Sequence, residues 1–249
     1  MIFEEDNIIA LFFNRTVENS INDQMMEYSY EFPYETLTEY ITKVCSIPYA
    51  NYIEYLQNSN RNSGTIESSD ITQISSYEDC EINFCTKLSG VRRALTNEEI
   101  GVILQNDGVI RNQGANLKYG ENHAKGAMQL GLAQCRYGYW YLSCLGKVFP
   151  RLDNELRNAL IARTLLREKL YSKLICMLSK QDTSIDEIWG DIKLSPTTKI
   201  RRRSSVKQFL LQSTYQAYKE GYPIINRLDF TIDDRVNILS LTPPNLLLL

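Results

Sequence analysis

Five cations open one segment toward the C-terminus: Lys199, Arg201, Arg202, Arg203 and Lys207, four of them within five positions of the run TTKIRRRSSVKQF. Guanidinium groups so placed take phosphate oxygens in pairs, and a helix starting here adds the partial positive charge of its N-terminus. Duplex DNA is the anion this pattern predicts. The same residues would also suit a solvated basic turn paired with acids of this chain or a partner. A second group is mostly uncharged: Asn122, Lys125 and Gln129 recur at i, i+3 and i+7 of a helical stretch. In a major groove, asparagine and glutamine pair with adenine, and lysine pairs with guanine or phosphate. Arg136 and Tyr137, at a tight turn just beyond, are placed to touch the DNA backbone or minor groove.

Catalytic patterns are missing by comparison. The chain has one histidine, His123, so a Ser-His-Asp or Cys-His arrangement would have to pass through a residue on the expected recognition helix. The glycines between Gly120 and Gly131 lack the Gly-Lys-Ser/Thr ending of a phosphate-binding loop. Asp186, Glu187, Asp191 and Lys193 have the residue types of a metal nuclease, but they fall on a capped helix rather than on adjacent strands. Six cysteines are scattered without a Cys-x-x-Cys pair, so neither a zinc site nor any cofactor is expected. The expectation is a non-enzymatic chain.

The elements that must position these residues are signalled locally. Thr96-Asn97-Glu98-Glu99 has capping-box spacing, and a helix follows through Ile100, Ile103 and Leu104. It is expected to stop near Gly108, leaving room between Val109 and Gly120 for only a short turn of helix. A further helix over Glu121 to Leu130 places Ala124, Ala127 and Met128 on a narrow face and stops at Gly131, with Leu132 folding back. Leu132 to Arg136 and Tyr139 to Leu142 then make a hairpin about Tyr137-Gly138, and Ser143 caps a helix through Leu145, Val148 and Phe149.

Helix, short helix, helix, hairpin, helix is the winged-helix order. The run NHAKGAMQLGLAQCRYGYWYLSCLGKVF resembles bacterial winged-helix proteins, with a helix ending in Leu-Gly-Leu, then a wing, then Leu-Ser-x-Leu-Gly. A second module is signalled downstream. Leu156 to Leu178 has the apolar spacing of one long helix, Ser184 to Glu187 repeats the capping box ahead of Ile188 and Trp189, and Ser195-Pro196 caps the basic helix, which ends at Gly221. Ile224 to Ile232 would close it as a strand or wing. Arg201 to Phe209 is similar to second winged-helix modules attached to some restriction enzymes, in which an Arg-Arg pair precedes Ser-Val and an aromatic residue.

The fold expected is mainly α with small β-hairpins, an α+β chain of tandem winged helices behind a small N-terminal mixed domain. Its parts are an acidic, tyrosine-rich domain over 1–56, a polar linker or surface loop over 57–90, a winged helix over 91–153, and a helical connector with a second winged-helix-like module over 154–249. Residues 1–90 carry 15 acidic and 4 basic side chains, which leaves 15 acidic and 23 basic for the rest, or −11 against +8. Such a split predicts a basic body that meets phosphate and an acidic part that faces protein. The apolar runs are too short to cross a bilayer, and the acidic start Met1-Ile2-Phe3-Glu4-Glu5-Asp6 does not suit a secretory signal, so a cytoplasmic location is expected. The resemblance implies a DNA-binding adaptor subunit of a bacterial defence or restriction complex, with a nuclease or an ATPase of the chromosome-maintenance type as its catalytic partner. A homodimeric winged-helix transcriptional regulator is the alternative.

Overall fold

The computed structural model describes residues 8–27, 32–59, 65–71, 83–105, 112–180 and 192–222 of the 249. Among these the chain is mainly helical, with one two-stranded antiparallel sheet. Two compact units divide it: the first joins residues 1–46 to 76–157, the second joins 47–75 to 158–249.

In the first unit, α1 (Ile8–Phe13) and α2 (Thr16–Glu27) meet at Arg15, whose φ of 54° makes the turn. Helix α3 (Tyr34–Ser46) buries Leu37, Tyr40, Ile41 and Val44, the i, i+3, i+4, i+7 stripe that marks one buried helix face. After α5 (Phe84–Leu88), Thr96 and Glu99 form the expected reciprocal cap, and α6 (Asn97–Ile103) begins. Helix α7 then runs unbroken over Gln113–Gln129 from an Asn112 cap. This corrects the expectation of a short turn followed by a new helix at Glu121. Gly120 does not break the helix because it is where α6 presses closest: a Cβ there would stand 1.9 Å from the Asn97 carbonyl oxygen, and one on Gly101 would stand 2.0 Å from that of Asn116. Asn97 beside Gly120 and Gly101 beside Asn116 set the two helices antiparallel with their backbones touching.

Helix α7 ends at Gly131, where Leu132 N–H bonds to the Ala127 carbonyl at 2.7 Å and Gly131 N–H to that of Met128 at 2.9 Å, with the Leu132 side chain buried. Strands β1 (Ala133–Arg136) and β2 (Tyr139–Leu142) pair with Arg136 opposite Tyr139. Positive φ at both Tyr137 and Gly138 gives the two-residue turn whose twist matches the strands. Leu95 adds a bridge to Trp140 on the far side of β2. Ser143 caps α8 (Cys144–Val148) by accepting Gly146 N–H at 3.0 Å. Asn22 of α2 accepts the Cys144 N–H at 2.8 Å, so residues 122 apart in sequence fix this corner.

The second unit contains α4 (Tyr49–Asn58), most of α9 (Asn154–Leu165), α10 (Lys169–Ser179) and α11 (Pro196–Lys219). The single long helix expected over Leu156 to Leu178 is two helices: Leu166, Arg167 and Glu168 bond back three residues instead of four, and Glu168 turns extended to open α10. Helix α11 starts at Ser195 and Pro196 as expected and closes at Gly221. The second capping box at Ser184 and the strand or wing over Ile224 to Ile232 lie outside the described residues.

Nor do the units follow the expected partition. No strand occurs among the described residues of 1–56, and that span divides between α1–α3 in one unit and α4 in the other. The tyrosines are the reason: Tyr49, Tyr52, Ile53 and Leu56 are buried at helical spacing. Inside the presumed linker, Ile66 and Ile71 are buried, and α5 buries Phe84, Cys85 and Leu88.

Candidate nucleic-acid interface

Ser195 accepts the Thr198 N–H, Pro196 occupies the first turn of α11, and that turn contains no acid. Lys199, Arg203 and Lys207 follow at i, i+4 and i+8 along one stripe of the helix; the side chain of Lys207 lies outside the described residues. Arg201 is exposed. Arg202 turns inward and donates from Nη1 to the Ile71 carbonyl at 2.6 Å. Burial, and then the neighbouring charge of Arg201, lower its pKa from the usual arginine value. Lys169 of α10 binds the Thr65 carbonyl, so two cations and the buried Ile66 and Ile71 hold the segment Thr65–Ile71 in the second unit. Of the basic run, Arg202 is thus a structural tether, while Lys199, Arg201 and Arg203 keep at least part of their surface in water.

The face of α7 is less cationic than its sequence suggests. Lys118 and Lys125 both close on Glu121, at 2.7 and 2.5 Å. Those two hydrogen bonds, that of Lys118 first, hold the Glu121 carboxyl below the ordinary glutamate range. The cluster therefore presents one net positive charge. Exposed pairs of this kind contribute only ~0–1 kcal/mol, so they weaken the field on this face without locking it. Asn122 and Gln129 are half-buried, and the Asn122 Oδ1 is sequestered with no hydrogen-bond partner among the described residues. His123 packs edge-on against Tyr119, with ring centres 4.3 Å apart.

At the hairpin, Arg136 pairs with Asp23 at 3.0 Å, while Tyr137 is 100% exposed at the tip. Thus Asn122, Lys125 and Gln129 share α7 and Arg136 and Tyr137 share the hairpin, but Lys125 and Arg136 already face carboxylates. Asp186, Glu187 and Asp191 lie outside the described residues. Among those described, no three His, Cys, Asp or Glu side chains converge on a common point, and no helix is long and apolar enough to cross a membrane.

Sequence inspection passed over Arg163. Its side chain is 0% exposed, yet it forms a two-pronged ion pair with Glu220 just after α11, at 2.9 and 2.8 Å, and donates to the carbonyls of Ala159 and Ile47 at 3.1 and 2.7 Å. Glu220 also accepts the Tyr49 N–H at 2.9 Å and the Gln216 amide at 3.0 Å. One charge pair thereby ties α4, α9 and the C-terminal end of α11. The signal was present: an arginine in the middle of the apolar run ALIARTLL. Tyr49 beside it has its hydroxyl pKa pushed far up by burial.

Compared with models of known protein families, with curated proteins and with solved structures, the chain gives no match in any of the three.

Proposed function

We propose that this chain is a non-enzymatic, cytoplasmic adaptor that binds double-stranded DNA through the first turns of α11 and acts beside a catalytic protein partner. The supporting observation is the acid-free opening of α11, where Lys199, Arg201 and Arg203 cluster at the positive end of a 24-residue helix. Phosphate oxygens are the acceptors such a cluster suits, and contacts of this kind fix position on a duplex without reading sequence. The winged-helix resemblance of the first unit assigns base reading to Asn122, Lys125 and Gln129, and a backbone contact to Arg136. In this reading the partner is a nuclease or an ATPase of the chromosome-maintenance type within a bacterial defence or restriction complex.

The test is duplex binding measured over a range of salt. Replacing Lys199, Arg201 and Arg203 with alanine, and leaving Arg202 to its structural bond, is expected to reduce the slope of log affinity against log salt by about one unit per lost contact. An unchanged slope overturns the DNA assignment. Co-purification with the products of neighbouring genes supports the adaptor role. A stable symmetric dimer that protects one palindromic site would instead establish the transcriptional regulator.

A further inference from the structure

Four side chains of the first unit set a pair of aromatic rings between two cations. Phe32 and Tyr34, at the entrance to α3, meet edge to face with ring centres 4.2 Å apart. Lys147, in the last turn of α8, holds its ammonium 5.4 Å from the centre of the Phe32 ring. Arg151, at the end of the short 3-10 turn Phe149–Arg151, lays its guanidinium 3.8 Å from the centre of the Tyr34 ring.

These cations stand on rings instead of carboxylates. Among the described residues neither Lys147 nor Arg151 forms an ion pair. Asp153, two residues beyond Arg151, accepts the Leu156 N–H at 2.8 Å to start α9, and Glu39 on α3 pairs with Lys43 at 3.3 Å. Lys147 is half-buried, and that burial lowers its pKa from the ordinary lysine value. An ammonium partly stripped of water and paired with no carboxylate among the described residues is stabilised by an incoming anion. Arg151 is exposed, and its guanidinium, 3.8 Å from the centre of the Tyr34 ring, carries the planar cation on which a further ring can stack.

We propose that Lys147, Phe32, Tyr34 and Arg151 form a contact surface for single-stranded nucleic acid, in which Lys147 takes a backbone phosphate and an unpaired base stacks on the Arg151 guanidinium. The pairing of charge with planar stacking surface selects this ligand. A strand supplies a phosphate and a π-face per nucleotide, whereas an acidic peptide engages only the charges and a duplex keeps its bases stacked inside. The surface belongs to the first unit and is independent of the α11 assignment.

The experiment uses the full chain and fluorescence anisotropy with three labelled probes: oligothymidine, an abasic oligonucleotide of the same length, and polyglutamate. Arg151→Ala is expected to weaken oligothymidine binding about fivefold or more and to affect the abasic strand much less. Arg151→Lys, which keeps the charge and removes the plane, is expected to lose most of the same increment. Lys147→Gln is expected to weaken both strands. Circular dichroism of each variant identifies any that fail to fold, and Arg151→Lys, the mildest change, then carries the test. Equal losses on oligothymidine and the abasic strand, full recovery in Arg151→Lys, or polyglutamate binding that falls in parallel would each overturn the proposal. The duplex salt slope of the α11 variants is a separate readout, so either assignment can fail alone.

Discussion

Replacing Glu220 with glutamine keeps the shape of the Arg163 partner and removes its charge. The consequence can be worked from the surroundings. Arg163 is wholly buried, and two of its hydrogen bonds, at 2.9 and 2.8 Å, go to the two oxygens of Glu220, whose side chain is 20% exposed. Removing one member of a buried pair typically costs about 3–5 kcal/mol, because the other charge stays desolvated and uncompensated. The partial exposure of Glu220 and the carbonyls of Ile47 and Ala159, which keep solvating the guanidinium, place Glu220→Gln near the lower end, at about 3 kcal/mol. Arg163→Met leaves a carboxylate that still has the Tyr49 N–H, the Gln216 amide and some water, and orphans the Ile47 carbonyl, for a cost of about 2 kcal/mol. The double variant Arg163→Met/Glu220→Gln should cost well under the sum, with a coupling of about 2 kcal/mol. Urea unfolding followed by far-ultraviolet circular dichroism gives the three values, and hydrogen exchange of α4 and α11 localises them to the second unit. A loss below about 1 kcal/mol in Glu220→Gln, or strict additivity in the double variant, would refute the view that this pair fastens the unit.

The contact between α6 and α7 makes Gly101→Ala and Gly120→Ala expensive. Each new Cβ would meet a backbone oxygen, so a loss of about 3 kcal/mol or more is expected despite the better helix propensity of alanine. Gly114→Ala, whose Cβ would meet only the Asn112 side chain at 3.7 Å, is the control and should be neutral or stabilising by up to about 1 kcal/mol; thermal melts of the three distinguish them. Arg93, followed by the Thr96 cap, holds the Glu99 carboxyl down to about 2. Because that value is depressed, the stability it adds is complete above the ordinary glutamate pKa and disappears as the pH falls toward 2; Arg93→Ala should move the carboxyl titration upward in an NMR pH series. Arg202→Ala should release Thr65–Ile71, seen as faster hydrogen exchange over 65–71, with little change in the rest of the second unit.

How much of this was legible depends on how far apart the interacting residues lie. The Thr96 capping box, the Ser143 and Ser195 caps, the glycine stops at Gly131 and Gly221 and the Tyr137-Gly138 turn all rest on bonds that reach no more than five residues, and their residue types signal them directly. The basic run at α11 was equally plain as composition. Its division of labour was not, because Arg202 turns inward to meet Ile71, 131 residues earlier. Gly120 reads as a helix breaker until α6 is seen resting on it, and Tyr40, Tyr49 and Tyr52 read as mixed structure until their helical burial is known.

The sequence by itself determined a mainly helical chain, the starts of α6, α8 and α11, the stops of α7 and α11, the hairpin, and the presence of a cation cluster, since these follow from local hydrogen bonding and side-chain spacing. Tertiary structure alone decided that the first 56 residues divide between two units, that α7 is continuous, that Arg136 faces Asp23, and that Arg163 is a buried anchor. Each of these depends on which surfaces exclude water from one another, and burial reverses what a charge or a glycine means locally.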